Sequence, residues 1–347
     1  MTYSTVGSNV AGPGTEVDVL SQVLKIVTLK GAVFYNAEFS APWSFRSPPS
    51  HLIAPHLGPE SGHVIIYHLL TEGYAWAQTE RDQPVELSAG DIVVFPHGDP
   101  HLMGNGPPVQ PVDNGQQLAA ILSRGLGVTR MGGGGTVTKF VCGYMICEPQ
   151  VSRLVLKGLP PMLRVNIRND ASGAWLENSI RFSVDNAGSS NAGAEAVLAK
   201  LSEALFVETL RRYVAALPEA QIGWLAGARD PDVGRALELL HKNPARRWTI
   251  NDLALSVGVS RAVLAERFRH FLGEPPIGYL TRWRLQLGAR LLTTTTCGVA
   301  EIASQVGYDS EAAFNRAFKR TFHEPPARFR RDSKSRFEIP EQAITAG

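Results

Sequence analysis

The sequence repeats one pattern of residues at a spacing of fifty positions near its C-terminus. Ser260, Leu264 and Phe268, followed by Glu-Pro-Pro at 274–276, recur with one change from Leu to Phe at Ser310, Phe314, Phe318, Glu324, Pro325 and Pro326. In each copy, an apolar stretch is followed by a turn that contains glycine and by a second apolar stretch that begins at serine. This order predicts two helices joined by a tight turn, the pattern of a helix-turn-helix unit, present twice.

The first copy contains signals that begin and end helices. Thr249 together with Asp252 resembles a capping box, and Gly258 is placed to end the helix that they begin. Leu264 and Phe268 lie four residues apart, so both are predicted to face the core of the unit. The outward face of that second helix is then predicted to carry Ala262, Ala265, Glu266 and Arg269.

The second copy carries a richer set of polar residues. Ser310 is predicted to cap its second helix, which Phe314, Phe318 and Phe322 hold against the core. The exposed residues of that helix are predicted to be Glu311, Ala312, Asn315, Arg316, Lys319 and Arg320. Residues 276–292 between the copies show a continuous apolar stripe, and a helix of that length is about 25 Å long. Such a spacer suits two recognition helices placed about one DNA turn, roughly 34 Å, apart.

The basic charge of the chain is concentrated around the two copies. Residues 231–330 contain 15 Lys and Arg against 9 Asp and Glu, a net +6, whereas the rest of the chain stands at −4. Basic side chains on a DNA backbone release condensed counterions, so this distribution indicates double-stranded DNA as a partner. A basic surface that faces only solvent is the alternative. Arg316 and Asn315 are predicted to read guanine and adenine, and Lys319 and Arg320 to contact phosphates.

Residues 231–330, which include WTINDLALSVGVSRAVLAERF and VAEIASQVGYDSEAAFNRAFKRTF, resemble the DNA-binding domain of AraC/XylS-type transcription regulators. The resemblance implies that the two recognition helices dock in successive major grooves of a promoter. The family's reading positions match Ala262, Ala265 and Glu266, and in the second copy Glu311, Ala312, Asn315 and Arg316. His323 stands where glycine is usual, which affects the end of the helix. If the regulator is an activator, RNA polymerase is a further expected partner.

The N-terminal half has the pattern of a β-sheet domain. Between residues 18 and 147, short apolar runs such as HVIIYHLL, DIVVFP and KFVCGYMIC lie between Gly, Pro and Asp turns, which predicts a barrel or a sandwich. Residues 104–135, rich in Gly, Pro and Gln, are predicted to form a long loop. Residues 193–216 have helical periodicity and are interpreted either as a cover for the β domain or as the seam of a homodimer, with an apolar side formed by Val197, Leu201, Leu205, Phe206, Leu210 and Val214.

A short motif in this half suggests a more specific fold. The second sequence motif of cupins is matched by Gly90, Asp91, Pro96, Gly98, His101 and Asn105. The region therefore resembles the cupin-type ligand-binding domain that precedes the DNA-binding domain in some AraC-type regulators. Physically, the motif is a strand, a tight turn and a returning strand that points His101 into a barrel. The first cupin motif is only partial, because Ile66 replaces its first histidine.

The remaining polar residues leave two metal-binding sets and one alternative open. His68, Glu72 and His101 form a two-histidine, one-carboxylate set for a divalent ion. A tetrahedral zinc site would use a different set, made of His97, His101, Cys142 and Cys147. In the alternative, these histidines and cysteines are ordinary hydrogen-bonded or core residues of the barrel.

A barrel that has partly lost its metal site and is joined to a predicted DNA-binding domain suggests a sensor of a small-molecule effector. Candidate wall residues are Tyr67, Tyr74, Trp76 and Phe95, although aromatic residues in a barrel also form plain core. The competing hypothesis is a cupin-type metalloenzyme with a helical appendage. The missing first histidine argues against that hypothesis, and no combination of nucleophile, base and orienting partner indicates a catalytic residue.

Composition and segment order complete the expected organisation. The sequence has neither a run of about eighteen apolar residues nor a basic start followed by a hydrophobic stretch, so we expect a cytoplasmic protein without a membrane partner. We predict an α+β multidomain chain, with a cupin-like β-barrel followed by an all-α domain that contains two helix-turn-helix units. The expected segments are a flexible tail at 1–14, the sensor domain at 15–150, a helical linker and candidate dimerisation region at 151–230, the double helix-turn-helix domain at 231–331 and a second flexible tail at 332–347.

Overall fold

Between residues 29 and 166, the described part of the chain consists mainly of β-strands. The computed structural model describes residues 29–57, 63–80, 82–115, 120, 127–147, 156–186, 193–218 and 221–335. Within these residues the strands are β1 Leu29–Ser40, β2 Trp43–Ser47, β3 His63–Glu72, β4 Tyr74–Thr79, β5 Val85–Ser88, β6 Asp91–Phe95, β7 His101–Asn105, β8 Val112–Asp113, β9 Val128–Gly132, β10 Val137–Cys147 and β11 Leu163–Asn166.

The strands make two sheets that face each other, which confirms the predicted barrel-like fold. The larger sheet has the order β11-β6-β3-β10-β1-β9, and the smaller has the order β5-β4-β7-β2-β8. The loop predicted at 104–135 is wrong in part, because β8 and β9 lie within it. Each of the two pairs in parallel with a neighbouring strand, β8 with β2 and β9 with β1, and each forms an edge of its sheet.

Aromatic side chains fill the space between the two sheets. Phe45, Phe95 and Phe140 have no exposed surface, and the ring of Trp43 stacks on Phe45 at a centroid distance of 6.0 Å. Met103 is equally buried in the same cluster. The inside of the barrel is therefore a close-packed core.

One helix lies between β2 and β3, and the other helices follow the β domain to the end of the described chain. Among the described residues they are α1 Ser50–Leu57, α2 Ala171–Asn186, α3 Ala194–Ala215, α4 Trp224–Arg229, α5 Pro231–Lys242, α6 Ile250–Val257, α7 Arg261–Leu272, α8 Pro276–Thr294, α9 Val299–Gln305, α10 Glu311–Phe322 and α11 Pro326–Ser335. Helix α11 extends four residues beyond the domain end expected at 331. The tail predicted at 1–14 and most of the tail predicted at 332–347 lie outside the described residues.

Helix α3 confirms the helix predicted at 193–216, although its buried face differs at the N-terminal end. Leu205, Phe206 and Leu210 are buried against the larger sheet, as predicted. Val197 is 53% exposed, however, and Leu198 takes the buried position instead. At this end, the buried stripe is thus shifted by one residue from the predicted one.

Strand β3 is buried on both of its faces. Its residues Ile66 and Leu70 face the interior of the barrel, while Ile65, Tyr67 and Leu69 face outward into the cluster that includes helix α3. This two-sided burial explains why HVIIYHLL reads as a continuous apolar run, because a strand with only one buried face would show alternation.

Candidate functional site

The first helix-turn-helix unit is built as its local signals predict. The Thr249 hydroxyl accepts a hydrogen bond from the backbone N–H of Asp252 (3.1 Å), and the Asp252 carboxylate accepts one from the backbone N–H of Thr249 (3.3 Å). Helix α6 ends at Gly258, whose φ of 90° is left-handed. Ser260 then caps helix α7 by accepting from the N–H of Val263 (3.2 Å).

Helix α7 presents the predicted residues away from the core. Leu264 and Phe268 have no exposed surface, so the opposite side of the helix faces solvent. That side carries exposed Ala262, Glu266 and Arg269 and half-buried Ala265. The geometry is that of a recognition helix, with small residues near its N-terminus and a basic residue in its last turn.

The second unit repeats this construction. The Ser310 hydroxyl caps helix α10 by accepting from the N–H of Ala313 (3.2 Å). Phe314 and Phe318 are fully buried beneath it, and Phe322 is half-buried. Helix α10 ends at His323, which has a left-handed φ of 65°.

The outward face of α10 is polar and basic. Glu311, Ala312, Arg316, Lys319 and Arg320 are exposed, whereas Asn315 is half-buried. Within the described part of the chain, neither Arg316 nor its two basic neighbours forms an ion pair, so these cations are available to an anionic partner. The Oδ1 atom of Asn315 is enclosed and has no hydrogen-bond partner among those residues.

Helix α8 joins the two units by contributing to both of their cores. Its N-terminal half places Tyr279, Leu280 and Trp283 in the cluster that contains Leu264 and Phe268 of the first unit. Its C-terminal half contributes to a second cluster, with Leu285, Ala289 and Leu292 packed near Phe314 and Phe318. A single helix therefore fixes the positions of both recognition helices.

A second contact joins the loops that precede the units. The Arg284 guanidinium on α8 donates to the carbonyl oxygens of Pro244 (2.7 Å) and Arg246 (2.9 Å). Arg247 forms an ion pair with Asp309, at 2.5 Å between nitrogen and oxygen. The loop before α6 is thus tied to the turn before α10, which adds to the fixed relation between the units.

In the barrel, two histidines and one cysteine form a buried chain of hydrogen bonds. His68 on β3 lies between the other two, with its Nδ1 2.6 Å from the Cys142 sulfur and its Nε2 2.9 Å from His101 Nε2. His101 Nδ1 is 3.0 Å from the backbone oxygen of Asp99. Burial lowers the pKa of His101 to about 4 and the pKa of His68 well below its usual value, so both imidazoles are neutral near pH 7.

The direction of each hydrogen bond in this chain follows from its last member. A carbonyl oxygen only accepts, so His101 carries its proton on Nδ1 and its Nε2 is an acceptor. His68 must then donate from Nε2, which leaves its Nδ1 to accept from the Cys142 thiol. Because the thiol and His101 occupy opposite edges of the His68 ring, the three side chains do not converge on one point.

The first predicted metal set is not brought together. Glu72 is exposed and forms an ion pair with Lys139 (2.9 Å) on the outside of the sheet. The cause is a register shift between β3 and β10, which pairs Phe140 with Leu70 but Lys139 with Glu72. This β-bulge reverses the side to which the following residue points, so Glu72 lies on the opposite face from His68.

The second predicted metal set is also separated. The His97 ring donates from Nε2 to the backbone oxygen of Leu159 (2.9 Å) and so is held away from His101. The side chain of Cys147 lies outside the described residues. Across the described part of the chain, no group of three His, Cys, Asp or Glu side chains is arranged to hold a metal ion.

The four predicted ligand-binding aromatics lie in three different places. Tyr67 faces away from the barrel interior, and its hydroxyl bonds the Ser202 hydroxyl of α3 (2.8 Å), so its prediction as a barrel wall is wrong. Phe95 lies in the interior, where its ring stacks on His101 at 3.5 Å between centroids. Tyr74 and Trp76 line an open cavity outside the smaller sheet. Their role in ligand binding stays a prediction.

Comparison with known proteins agrees with this two-part architecture. The Cupin family matches residues 18–215, which span the described strands and helices α2 and α3, and a helix-turn-helix domain family matches residues 253–332. A Streptomyces lividans protein described as an AraC-like transcription regulator is 36% identical over 72% of this chain and 81% of its own length.

Two further relatives match along nearly their whole length. The HTH-type transcriptional regulator AlkR of Acinetobacter baylyi is 27% identical over 91% of this chain and 100% of its own length. The RCS-specific HTH-type transcriptional activator RclR of Escherichia coli is 26% identical over 90% of this chain and 97% of its own length.

The fold and the two outward recognition helices define a DNA-binding protein with a cupin domain in front of a double helix-turn-helix domain. The chain belongs to the AraC-like transcription regulators. Its relatives are regulators, which disfavours the competing hypothesis of a metalloenzyme. No helix among the described residues is both long and apolar enough to cross a membrane.

Proposed function

We propose that helices α7 and α10 read two neighbouring major-groove segments of promoter DNA, and that a small-molecule effector bound to the cupin domain changes this binding. The observation that carries the proposal is that both recognition helices rest on helix α8, each with its predicted reading face outward. Helix α8 has 19 residues, so it is about 28 Å long. This length fits two helices placed about one turn of DNA apart.

Within this proposal, the second unit supplies most of the sequence discrimination. Arg316 is exposed and without an ion pair in the described chain, and its guanidinium can bond guanine bidentately. Asn315 would read adenine after a side-chain rotation that frees its enclosed Oδ1. Ala262 and Ala265 of the first unit would contact thymine methyl groups, and Glu266 would accept from cytosine. Glu311 and Ala312, which match reading positions of the family, would face base edges at the N-terminus of α10. Contacts to phosphate would come from Arg269, Lys319 and Arg320.

A continuous apolar cluster supports the link between the cupin domain and the first recognition helix. The cluster runs from Tyr67 on β3 through Leu205 of α3 to Trp224 of α4 and Phe268 of α7. In addition, the backbone N–H at Gly223 donates to the oxygen of Phe271, at the C-terminal end of α7 (2.9 Å). A change in the packing of α3 on the larger sheet would therefore alter the packing at the C-terminal end of α7.

Activation through RNA polymerase and assembly as a homodimer are further parts of the proposal. The first is supported by the description of the relative RclR as a transcriptional activator. The second is supported by Trp175 and Phe182, which lie seven residues apart on α2 and are 64% and 70% exposed. Large apolar side chains aligned on an open helix face are typical of a protein interface. Light scattering of the purified chain at micromolar concentration would measure the assembly directly.

The DNA-binding proposal is tested by selecting the preferred DNA site of the purified chain and then repeating the selection with Arg316→Ala. We expect this substitution to weaken binding to the preferred site by about 1–3 kcal/mol and to remove the preference at a single base pair. Footprinting of the parent protein should show two protected major-groove segments on one face of the duplex.

Lys319→Ala is the matched control, because it removes a cation from the same helix face without removing a predicted base reader. Binding should weaken equally for all sequences, and the slope of log affinity against log salt should fall by about 1. If Arg316→Ala behaves in this same uniform way, Arg316 contacts only the backbone and its assignment as a base reader is wrong.

A further inference from the structure

The outer face of the smaller sheet carries a row of residues in register across four strands. Trp76 on β4 is paired with Glu86 on β5 and with Gly104 on β7, and Gly104 is paired in turn with Ser44 on β2. The alternate residues of β4, such as Ala75, belong to the barrel core. The row therefore faces away from the barrel interior.

Glycine at position 104 is what allows the Trp76 indole to lie flat on this sheet. A Cβ atom built at Gly104 would stand 2.5 Å from Cζ2 of Trp76, well inside van der Waals contact. Without that side chain, the indole extends across β7 toward Ser44. The indole ring of Trp76 therefore covers a position that only glycine can occupy.

A cavity of about 780 Å³ opens above this indole ring. Its volume is in the range of small-molecule sites, which is roughly 300–1,000 Å³. The segment between β7 and β8 forms the opposite wall with Pro107, Pro108, Val109 and Pro111, and Tyr74 stands at the mouth with 71% of its surface exposed. Flat aromatic and proline surfaces that face each other across a gap suit a flat ring.

One buried polar group of the cavity lining has no partner in the described chain. Ser44 is 4% exposed and lines the cavity, yet its hydroxyl makes no hydrogen bond. A buried polar group without a partner destabilises the protein, so a ligand that offers an acceptor here would recover that free energy.

The charge of the lining restricts the ligand further. Among the described residues that line the cavity, Glu86 is the charged one, and no Lys or Arg is present. A carboxylate or phosphate ligand would therefore meet a like charge and no counter-charge. The Ser44 hydroxyl can donate to a neutral acceptor. An ammonium group bonded to Ser44 would lie three strands away from Glu86 and would therefore lose its hydration without gaining a counter-charge.

From these observations we infer that the outer face of the smaller sheet, under the 107–111 segment, is a binding site for an uncharged flat aromatic molecule that carries a carbonyl or similar acceptor. The ring lies between Trp76 and the proline wall, and the acceptor bonds the Ser44 hydroxyl. The inference rests on the proposed sensing function and places the effector outside the packed barrel interior.

The test uses the full chain and four naphthalene probes in isothermal titration calorimetry. The probes are 2-acetylnaphthalene, naphthalene itself, 2-naphthoate and 2-naphthylmethylammonium. We expect the ketone to bind most tightly, naphthalene more weakly, and both charged probes at least about tenfold more weakly than the ketone. Tighter binding of either charged probe would overturn the assigned ligand class.

Variants locate the site. Trp76→Ala should weaken binding of the ketone by about tenfold, because the stacking surface is lost. Ser44→Ala should weaken the ketone by about fivefold but leave naphthalene unchanged, because only the acceptor contact is removed. Leu255→Ala, on helix α6, is the control, because Leu255 is 83% exposed and does not line the cavity, and it should change the binding of neither probe.

Thermal unfolding separates a lost site from a lost fold. Ser44→Ala removes an unpaired hydroxyl, so its unfolding temperature should equal or exceed that of the parent. If the ketone binds normally to a folded Trp76→Ala protein, or if Ser44→Ala weakens the ketone and naphthalene alike, the site is elsewhere. DNA binding is titrated separately without probe, so a failure here leaves the DNA-reading proposal standing.

Discussion

At the scale of single residues, His323 is the position where the second helix-turn-helix unit departs most from the first. Its backbone has φ 65°, a left-handed value that a side chain makes costly, whereas the equivalent residue of the first unit is Gly273 with φ 75°. We predict that His323→Gly raises the free energy of unfolding by about 1 kcal/mol. Chemical denaturation followed by the far-UV signal of the helices would measure the change.

The same backbone position in the first unit provides the reverse experiment. A Cβ atom at Gly273 would meet nothing within 4 Å, so Gly273→Ala introduces left-handed strain without a clash. We expect a loss of about 1 kcal/mol. Equal stability of parent and His323→Gly, together with a loss at Gly273→Ala, would mean that the His323 side chain makes compensating contacts.

The sequence predicted the role of residues that depend on neighbours a few positions away. It did not predict the role of residues that depend on how distant strands pair. Ser260 and Ser310 cap their helices as expected because a cap involves only four residues. Glu72 was misplaced because its direction depends on a bulge between β3 and β10, which lie far apart in sequence. The side to which Tyr67 points was predicted wrongly, because a strand buried on both faces shows no alternation of apolar and polar residues that would distinguish the two faces.

At the scale of elements, the junction between α5 and α7 depends on Asp230. Its carboxylate caps α5 by accepting from the N–H groups of Asp232 (3.1 Å) and Val233 (2.9 Å), and it also pairs with Arg267 on α7. We predict that Asp230→Ala lowers the free energy of unfolding by about 1–2 kcal/mol, because the cap and the ion pair are both lost. Urea denaturation of the full chain would measure this change.

Asp230→Asn separates the two contributions. Asparagine caps a helix as well as aspartate does but carries no charge, so the loss should stay under about 1 kcal/mol. Asp309→Ala is a second control, because it breaks the ion pair with Arg247. The side chains of Arg247 and Asp309 are 85% and 75% exposed. If Asp230→Asn costs as much as Asp230→Ala, the ion pair with Arg267 and not the cap holds the junction.

Elements were predicted in proportion to how much of their signal is local. Helices α6, α7 and α10 carry caps, turns and an apolar period in one short stretch, and all three form where expected. Strands β8 and β9 lie in a stretch rich in glycine and proline, and they exist because β2 and β1 offer free edges in parallel register. The cavity over Trp76 depends on the register of four strands, which no single segment encodes.

At the scale of the whole molecule, buried neutral histidines occur in both halves and determine the response to mild acid. Burial lowers the pKa of His101 in the barrel to about 4 and the pKa of His241 in the helical domain to about 3. In the unfolded chain both histidines take up a proton near pH 6.5, whereas in the folded protein they stay neutral until a much lower pH. The free energy of unfolding is therefore independent of these histidines above pH 6.5 and falls as the pH decreases toward 4. Each histidine should contribute a loss of about 1 kcal/mol between pH 7.5 and 5.5.

His241→Gln tests the helical half of this prediction. Trp224 donates to the Tyr279 hydroxyl (2.9 Å), so that hydroxyl donates onward to Nε2 of His241 (2.7 Å). A glutamine oxygen can take over as acceptor but cannot be protonated in this range. The variant should therefore lose less stability than the parent between pH 7.5 and 5.5, as measured by urea denaturation at each pH. Identical pH slopes would show that His241 has the same pKa in the folded and the unfolded chain, and would contradict the prediction.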